Sequence, residues 1–142
     1  MKPSREAFLA AAKALTGVPY VWGGKAARGL DCSGLVSLAL FAAGGTDVRA
    51  THNSDRLWED LTPTTEPVAG DLAFYGAKGD PSHVVICLGG PLDPILGANG
   101  GDRSTTSPFH ADQIGAQVKT KRSPKYRPDL LGYRSTARWF RD

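Results

Sequence analysis

The sequence predicts an α+β domain in which a mostly antiparallel sheet packs against helices. Helical patterns fill the first third of the chain and strand patterns follow them. At 142 residues the chain supports one sizeable core, and it shows neither a linker nor a repeat. It therefore reads as a single domain over residues 1–142, with 119–142 as a basic C-terminal segment.

Residues 4–16 form the first predicted helix: Ser4 suits the N-cap, Phe8, Leu9, Ala12 and Leu15 share a face, and Gly17 closes it. An extended aromatic stretch, VPYVWGG, leads into a loop bearing Gly and Arg. Residues 33–43 are apolar nearly all round, which predicts a buried central helix ending at Gly44-Gly45. Residues 46–69 are polar and turn-rich, a loop with one helical turn around 54–60. Strands are expected at 71–75 and 83–88, joined by GAKGDPS as a hairpin loop, and at 92–98, which proline interrupts. Residues 118–121 and 131–134 are weaker strand candidates.

Charge is uneven along the chain. Residues 1–118 carry 9 Lys and Arg against 12 Asp and Glu, whereas residues 119–142 carry 8 against 2. A basic tail beside a mildly acidic body suits an anionic polymer, such as a wall polymer, or simply a solvated tail. No base-reading module accompanies it, so nucleic acid is not the expected partner. No apolar run is long enough to span a membrane. Arg5, Glu6 and Lys13 break up the N-terminal apolar residues, so no signal peptide is visible.

Only two cysteines occur, which argues against a disulfide framework, and no C-x-x-C or His-x-x-His pair suggests zinc; no metal or cofactor is expected. Cys32 precedes the apolar helix, where the positive end of the helix favours a thiolate and free amides offer an oxyanion donor. Of the three histidines, His83 opens a strand directly after a turn and is the best base. His52 and His110 lie in polar segments. From spacing alone a small buried thiol remains the common alternative for Cys32, and for Cys87 it is the favoured reading. Trp22 and Trp58 suit core or cleft wall; Trp139 suits packing the tail down.

PYVWGG, DCSGLV, GDLAFYG and HVVICLGG, in that order, resemble the NlpC/P60 family of papain-like cysteine peptidases over roughly residues 6–100. The resemblance implies a papain-like fold with Cys32 at the start of the central helix and His83 facing it from the sheet. It implies hydrolysis of peptidoglycan stem peptides at the D-γ-glutamyl–diamino acid bond, in the periplasm or outside the cell. Cys32 matches the nucleophile, His83 the base and Tyr20 an aromatic lining the cleft. Asp31 and Ser33 match positions that bind the free amino end of the stem peptide, although either also suits a helix cap. Where the family usually places a polar orienting residue this chain has Gly97, so Asn99, two residues on, is expected to orient His83; a backbone carbonyl, water, Asp102 or His110 are the alternatives. The same fold also hosts N-acetylmuramoyl-L-alanine amidases, acyltransferases and non-catalytic wall- or assembly-binding domains. Without a leader, delivery by a phage particle or a secretion apparatus is the expected route.

Overall fold

The computed structural model describes residues 1–142. The first helix, α1 (Arg5–Lys13), is capped by Ser4, whose hydroxyl accepts the Ala7 N–H at 3.0 Å. It is shorter than expected: the chain turns at Ala14, and Gly17 donates its N–H to Val118 O at 2.8 Å. Gly17 is thus a joint to the sheet rather than a helix cap. A small hairpin follows, β1 (Lys25–Ala26) and β2 (Gly29–Leu30), which the sequence pattern had not marked.

The central helix, α2, runs Cys32–Ala42 and so begins at the cysteine itself. Asp31 is its N-cap. At the other end Gly44 N–H bonds Phe41 O and Gly45 N–H bonds Leu40 O, with Gly44 at φ +92°, the left-handed closure that glycine permits. The glycine of DCSG has a steric cause: a Cβ on Gly34 would lie 1.9 Å from Gly24 O. The Gly-rich loop therefore lies directly on the first turn of α2, and Asp31 N–H bonds the same Gly24 carbonyl at 3.0 Å.

After α3 (Ser54–Asp60) comes a six-stranded, fully antiparallel sheet of β3 (Thr62–Thr64), β4 (Leu72–Ala77), β5 (Asp80–Cys87), β6 (Ile95–Asn99), β7 (Gln117–Lys121) and β8 (Leu130–Ser135), in the spatial order β3-β8-β4-β5-β6-β7. The expected GAKGDPS loop shrinks to Lys78-Gly79, because β4 and β5 pair as far as Ala77 and Asp80. The third strand covers only Ile95–Asn99, and Leu92 and Pro94 stay outside it. A further helix, α4 (Pro108–Ile114), lies in a stretch to which the sequence pattern assigns no element, with Ser107 as cap and Pro108 at its first position.

The two faces of the sheet bury different sets. Val84, Ile86, Leu96, Ala98 and Val118 join Leu35, Val36, Ala39 and Leu40 of α2 in the main core. Val85, Cys87, Ala73, Tyr75 and Ile95 form a second cluster on the other face, covered by Tyr126, Leu130 and Tyr133. Strand alternation puts His83 on the second face, together with Val85 and Cys87. Cys87 is a free, fully buried thiol.

The basic C-terminal segment is not a free tail. It supplies β7 and β8, and β8 lies between β3 and β4. Trp139 and Phe140 pack beside Phe8, and Arg141 N–H bonds Pro3 O. Arg134 stacks 3.4 Å over the ring of Trp58 and donates to its carbonyl at 2.8 Å. The charge asymmetry is therefore spread over structural strands. No helix is long and apolar enough to cross a membrane.

Candidate active site

Cys32 sits at the first position of α2, with the amides of the opening turn around it. Its Sγ lies 4.0 Å from Ser82 O, the carbonyl directly preceding His83. Burial pushes the thiol up to about 11, and the nearby Asp31 carboxylate adds to this; the N–H groups of Val84, Ser33 and Cys32 act in the opposite direction. The resting site thus holds a thiol, not the thiolate that the helix-end argument predicts. Burial is the first cause, and the carboxylate that caps the helix adds to it by offsetting the positive end of α2 where the sulfur sits.

His83 is oriented from one side only. Its Nε2 lies 3.0 Å from Asn99 Oδ1 and 2.9 Å from the hydroxyl of Tyr126, and that hydroxyl donates to Asn99 Oδ1 at 2.8 Å. Asn99 donates its amide hydrogens to Gly97 O (3.1 Å) and Lys119 O (3.3 Å). With its NH₂ committed to carbonyls, Asn99 presents Oδ1 to the ring as a pure acceptor. The hydrogen-bond network thereby assigns the proton to Nε2 and leaves the lone pair on Nδ1, which has no protein partner. Burial pulls the ring down to about 4, the Arg127 guanidinium adds to this, and the Asn99 hydrogen bond opposes it.

Gly97 carries no orienting group for a steric reason. A Cβ there would lie 2.6 Å from Val85 Cγ1. Carrying the Ile86↔Leu96 register back along the two strands sets His83 opposite Asn99, which is how a residue two places on reaches the ring. Of the alternatives, Asp102 is occupied in its own loop, accepting from Ser104 Oγ at 2.6 Å and Ser104 N–H at 2.8 Å, and His110 lies on α4.

The expected binding residues gather on the sulfur's side, around a cleft of about 430 Å³ that Tyr20, Trp22, Asp31, Cys32 and Ser33 help line. Asp31 Oδ1 accepts the Gly34 N–H at 2.6 Å and the Ser33 hydroxyl at 3.3 Å, so Asp31 does cap the helix, and burial raises its carboxyl above the usual range. Tyr20 is pinned by bonds between its N–H and Ala116 O and between the neighbouring Val21 N–H and Leu30 O. Its ring lies against Gly101, where a Cβ would be 2.1 Å from Tyr20 Cδ1. Trp22 is half exposed at the rim, with Arg103 above it at 5.8 Å. His52 also borders the cleft, held between the Thr51 hydroxyl and Asp60, each at 2.8 Å.

Tyr126 is the residue that sequence reasoning missed. It ends a single 3₁₀ turn, Pro124–Tyr126, which Tyr75 fixes by donating its hydroxyl to Pro124 O at 2.6 Å. The only local signal is a tyrosine between two prolines, in SPKYRPD, which says nothing of a histidine more than 40 residues away. No group of three or more His, Cys, Asp or Glu side chains gathers as a metal site.

The family model for the NlpC/P60 family matches residues 17–128. The probable peptidoglycan endopeptidase LytE of Bacillus subtilis (strain 168) is 31% identical over 122 residues, covering 85% of this chain and 31% of that protein. The solved NlpC/p60 domain of the peptidoglycan hydrolase SagA is 29% identical with a TM-score of 0.70, covering 94% of this chain and 99% of that one. RipD of Mycobacterium tuberculosis, described as a non-catalytic NlpC/p60 domain protein adapted to peptidoglycan binding, shares the fold at 21% identity and a TM-score of 0.66, over 91% of this chain and 93% of its own. The chain spans less than half the length of the curated relatives it matches. With residues 17–128 matched to that family and its domain fold reproduced from α1 to β8, the chain belongs to the NlpC/P60 family and has its papain-like α+β fold.

Proposed function

We propose that this chain is a cysteine endopeptidase that hydrolyses peptidoglycan stem peptides at the D-γ-glutamyl–diamino acid bond through a thioester on Cys32. The observation that carries this reading is the one-sided orientation of His83: Nε2 is tied to Asn99 and Tyr126, and Nδ1 is left bare one residue after Ser82, whose carbonyl lies 4.0 Å from the sulfur. As Sγ bonds to the amide carbon, Nδ1 takes the thiol proton and passes it to the nitrogen as the C–N bond breaks. Water then attacks the thioester, giving one proton back through Nδ1 to the departing sulfur and leaving the γ-glutamyl acid. The amides of Cys32 and Ser33, first-turn donors without intrahelical partners, suit the developing oxyanion. Because thiol and imidazole both rest neutral, the ion pair forms only as the substrate adds. Asp31, Ser33 and Tyr20 suit an ammonium group, which is what a stem peptide with a free amino end presents.

The test is digestion of purified sacculi and of L-Ala-γ-D-Glu-diamino acid tripeptides, read by mass spectrometry. A cut after D-glutamate, reduced by roughly 10³-fold or more in Cys32→Ala, is expected. A cut at the lactyl-alanine bond would move the chain to the amidases. The resting thiol also suits a second reading, a wall-binding domain without turnover; wild-type product no greater than that of Cys32→Ala would select it.

A further inference from the structure

The basic C-terminal segment regathers part of its charge in one place. A hollow of about 250 Å³ beside His83 is bordered by Lys119 and Lys121 of β7, by Arg127 and by Gly100 and Gly101, and no carboxylate lines it. The cleft at Cys32 differs, for there Asp31, Asp55 and Asp80 stand with Lys25 and Arg103. Residues 119 and 121 share one face of β7, because Val118 and its face belong to the main core. Both lysines therefore stand on the face of the sheet that carries His83.

The hollow is rich in donors that the fold leaves unspent. Lys121 makes no hydrogen bond or ion pair, and Lys119 gives one ammonium hydrogen to Gly115 O at 3.0 Å and keeps two. The N–H groups of Gly100 and Gly101 donate to no protein acceptor. Gly100 adopts φ +91°, and successive amides at such a left-handed turn form a concavity suited to an anion. Arg127 is different. Its Nε and Nη2 are held by Asp129 at 2.9 and 2.7 Å, so its planar fork is already filled by a carboxylate.

That inventory selects the ligand. A carboxylate is best received by a guanidinium fork, and the one here is occupied. Point-charge ammonium groups and backbone amides suit the tetrahedral oxygens of a phosphate instead. We propose that the hollow is an oxyanion site for a phosphate group, held by Lys119, Lys121 and the amides of Gly100 and Gly101, and separate from the cleft at Cys32. The group comes either as the free ion or as a phosphodiester of an anionic polymer. At about 30 Å³ per water, the hollow takes such a group with part of its hydration. Asn99 and Tyr126, which hold His83 Nε2, line it as well, so a bound anion lies behind the imidazole and leaves Nδ1 free. The site therefore does not depend on turnover at Cys32.

The experiment titrates the whole chain with inorganic phosphate at neutral pH, against sodium chloride of equal ionic strength. Isothermal calorimetry reads the affinity, and a carbon–proton correlation spectrum of the histidine rings reads the place. Saturable binding with a Kd of about 1 mM is expected, weakened about 10-fold in Lys121→Ala, the worth of one charge-assisted hydrogen bond, and kept within about 3-fold in Lys121→Arg. The His83 Cε1–H signal should follow the calorimetric isotherm, while that of His52, which borders the Cys32 cleft, stays still. A glycerol phosphate oligomer separates the two sources. Tighter binding per phosphate group, with the same dependence on Lys121, assigns the site to a polymer phosphodiester, and equal or weaker binding assigns it to the free ion. No saturation beyond the chloride control, a Lys121→Ala affinity equal to wild type, or a His52 signal that moves in place of His83's would overturn the site.

Discussion

Two buried polar clusters in this molecule are built on opposite principles. Around Asp71, which is 2% exposed, both carboxylate oxygens are hydrogen-bonded: Oδ2 accepts the Val68 N–H at 2.9 Å, and Oδ1 accepts the Thr136 N–H at 3.0 Å, the Thr136 hydroxyl at 3.2 Å and Arg5 Nη1 at 3.1 Å. Around His83, by contrast, Nε2 has two partners and Nδ1 none. The first cluster is charged and closed, tying α1, the turn before β4 and the end of β8 together. The second is neutral and open at Nδ1. A network that ties elements of the fold together bonds both oxygens of its carboxylate, while the base of the proposed mechanism keeps a lone pair back.

The sharpest way to break this contrast is Asp71→Ala. Removing the carboxylate leaves the Val68 and Thr136 amides without their acceptor and the Arg5 guanidinium, which keeps Ala69 O, without its counter-charge; a loss of about 3 kcal/mol is expected, with Tm falling by roughly 10 °C. Thermal unfolding followed by circular dichroism measures it. A change of under about 1 kcal/mol would mean the cluster is no anchor, and that closed bonding does not by itself mark a structural network.

The same contrast explains what could be read from the sequence. Helix α2, its Gly44-Gly45 closure and the cysteine at its start follow from local composition, because each is decided within a few residues, whereas the histidine expected to open a strand lies inside β5, which starts at Asp80. What holds His83 is decided elsewhere. Gly97 is set by Val85 on the neighbouring strand, Asn99 by strand register, and Tyr126 and the Lys119 carbonyl by a C-terminal segment whose path puts β7 beside β6. The same segment read as a free basic tail because charge is visible in composition, while Trp139 and Phe140 reach the core only through long-range packing. Helix α4 was hidden for a simpler reason: it has seven residues, opens on proline and buries only Ala111, too little for a 3.6-residue pattern to register.

Asn99→Ala probes the open cluster. It removes the acceptor that assigns the Nε2 proton, so kcat should fall by roughly 10- to 1000-fold, within the range for a lost orienting group. Stability should fall by only about 1 kcal/mol, the worth of an ordinary hydrogen bond, so activity and Tm separate here where Asp71→Ala joins them. An unchanged kcat would hand the orienting role to Tyr126 or the backbone.

Tyr126→Phe gives the smallest expected change and the finest division of roles. Phenylalanine keeps the ring packed against Tyr75 and removes only the hydroxyl, which bonds both Nε2 and Asn99 Oδ1. A kcat loss of about 2- to 10-fold is expected, the worth of one shared neutral hydrogen bond. The pH profile separates positioning from shielding. On the proposed mechanism the imidazole must be unprotonated to accept the thiol proton, so wild-type activity is expected to be lost as pH falls through His83's value of about 4, rather than through its ordinary 6.5. Burial is the first cause of that depression, and phenylalanine preserves burial. The acid limb of kcat/KM should therefore stay near pH 4 in the variant while its plateau drops. A limb that moves up toward 6.5 would show that the hydroxyl keeps water off the ring, making Tyr126 a seal on the open cluster rather than a second hand on the imidazole.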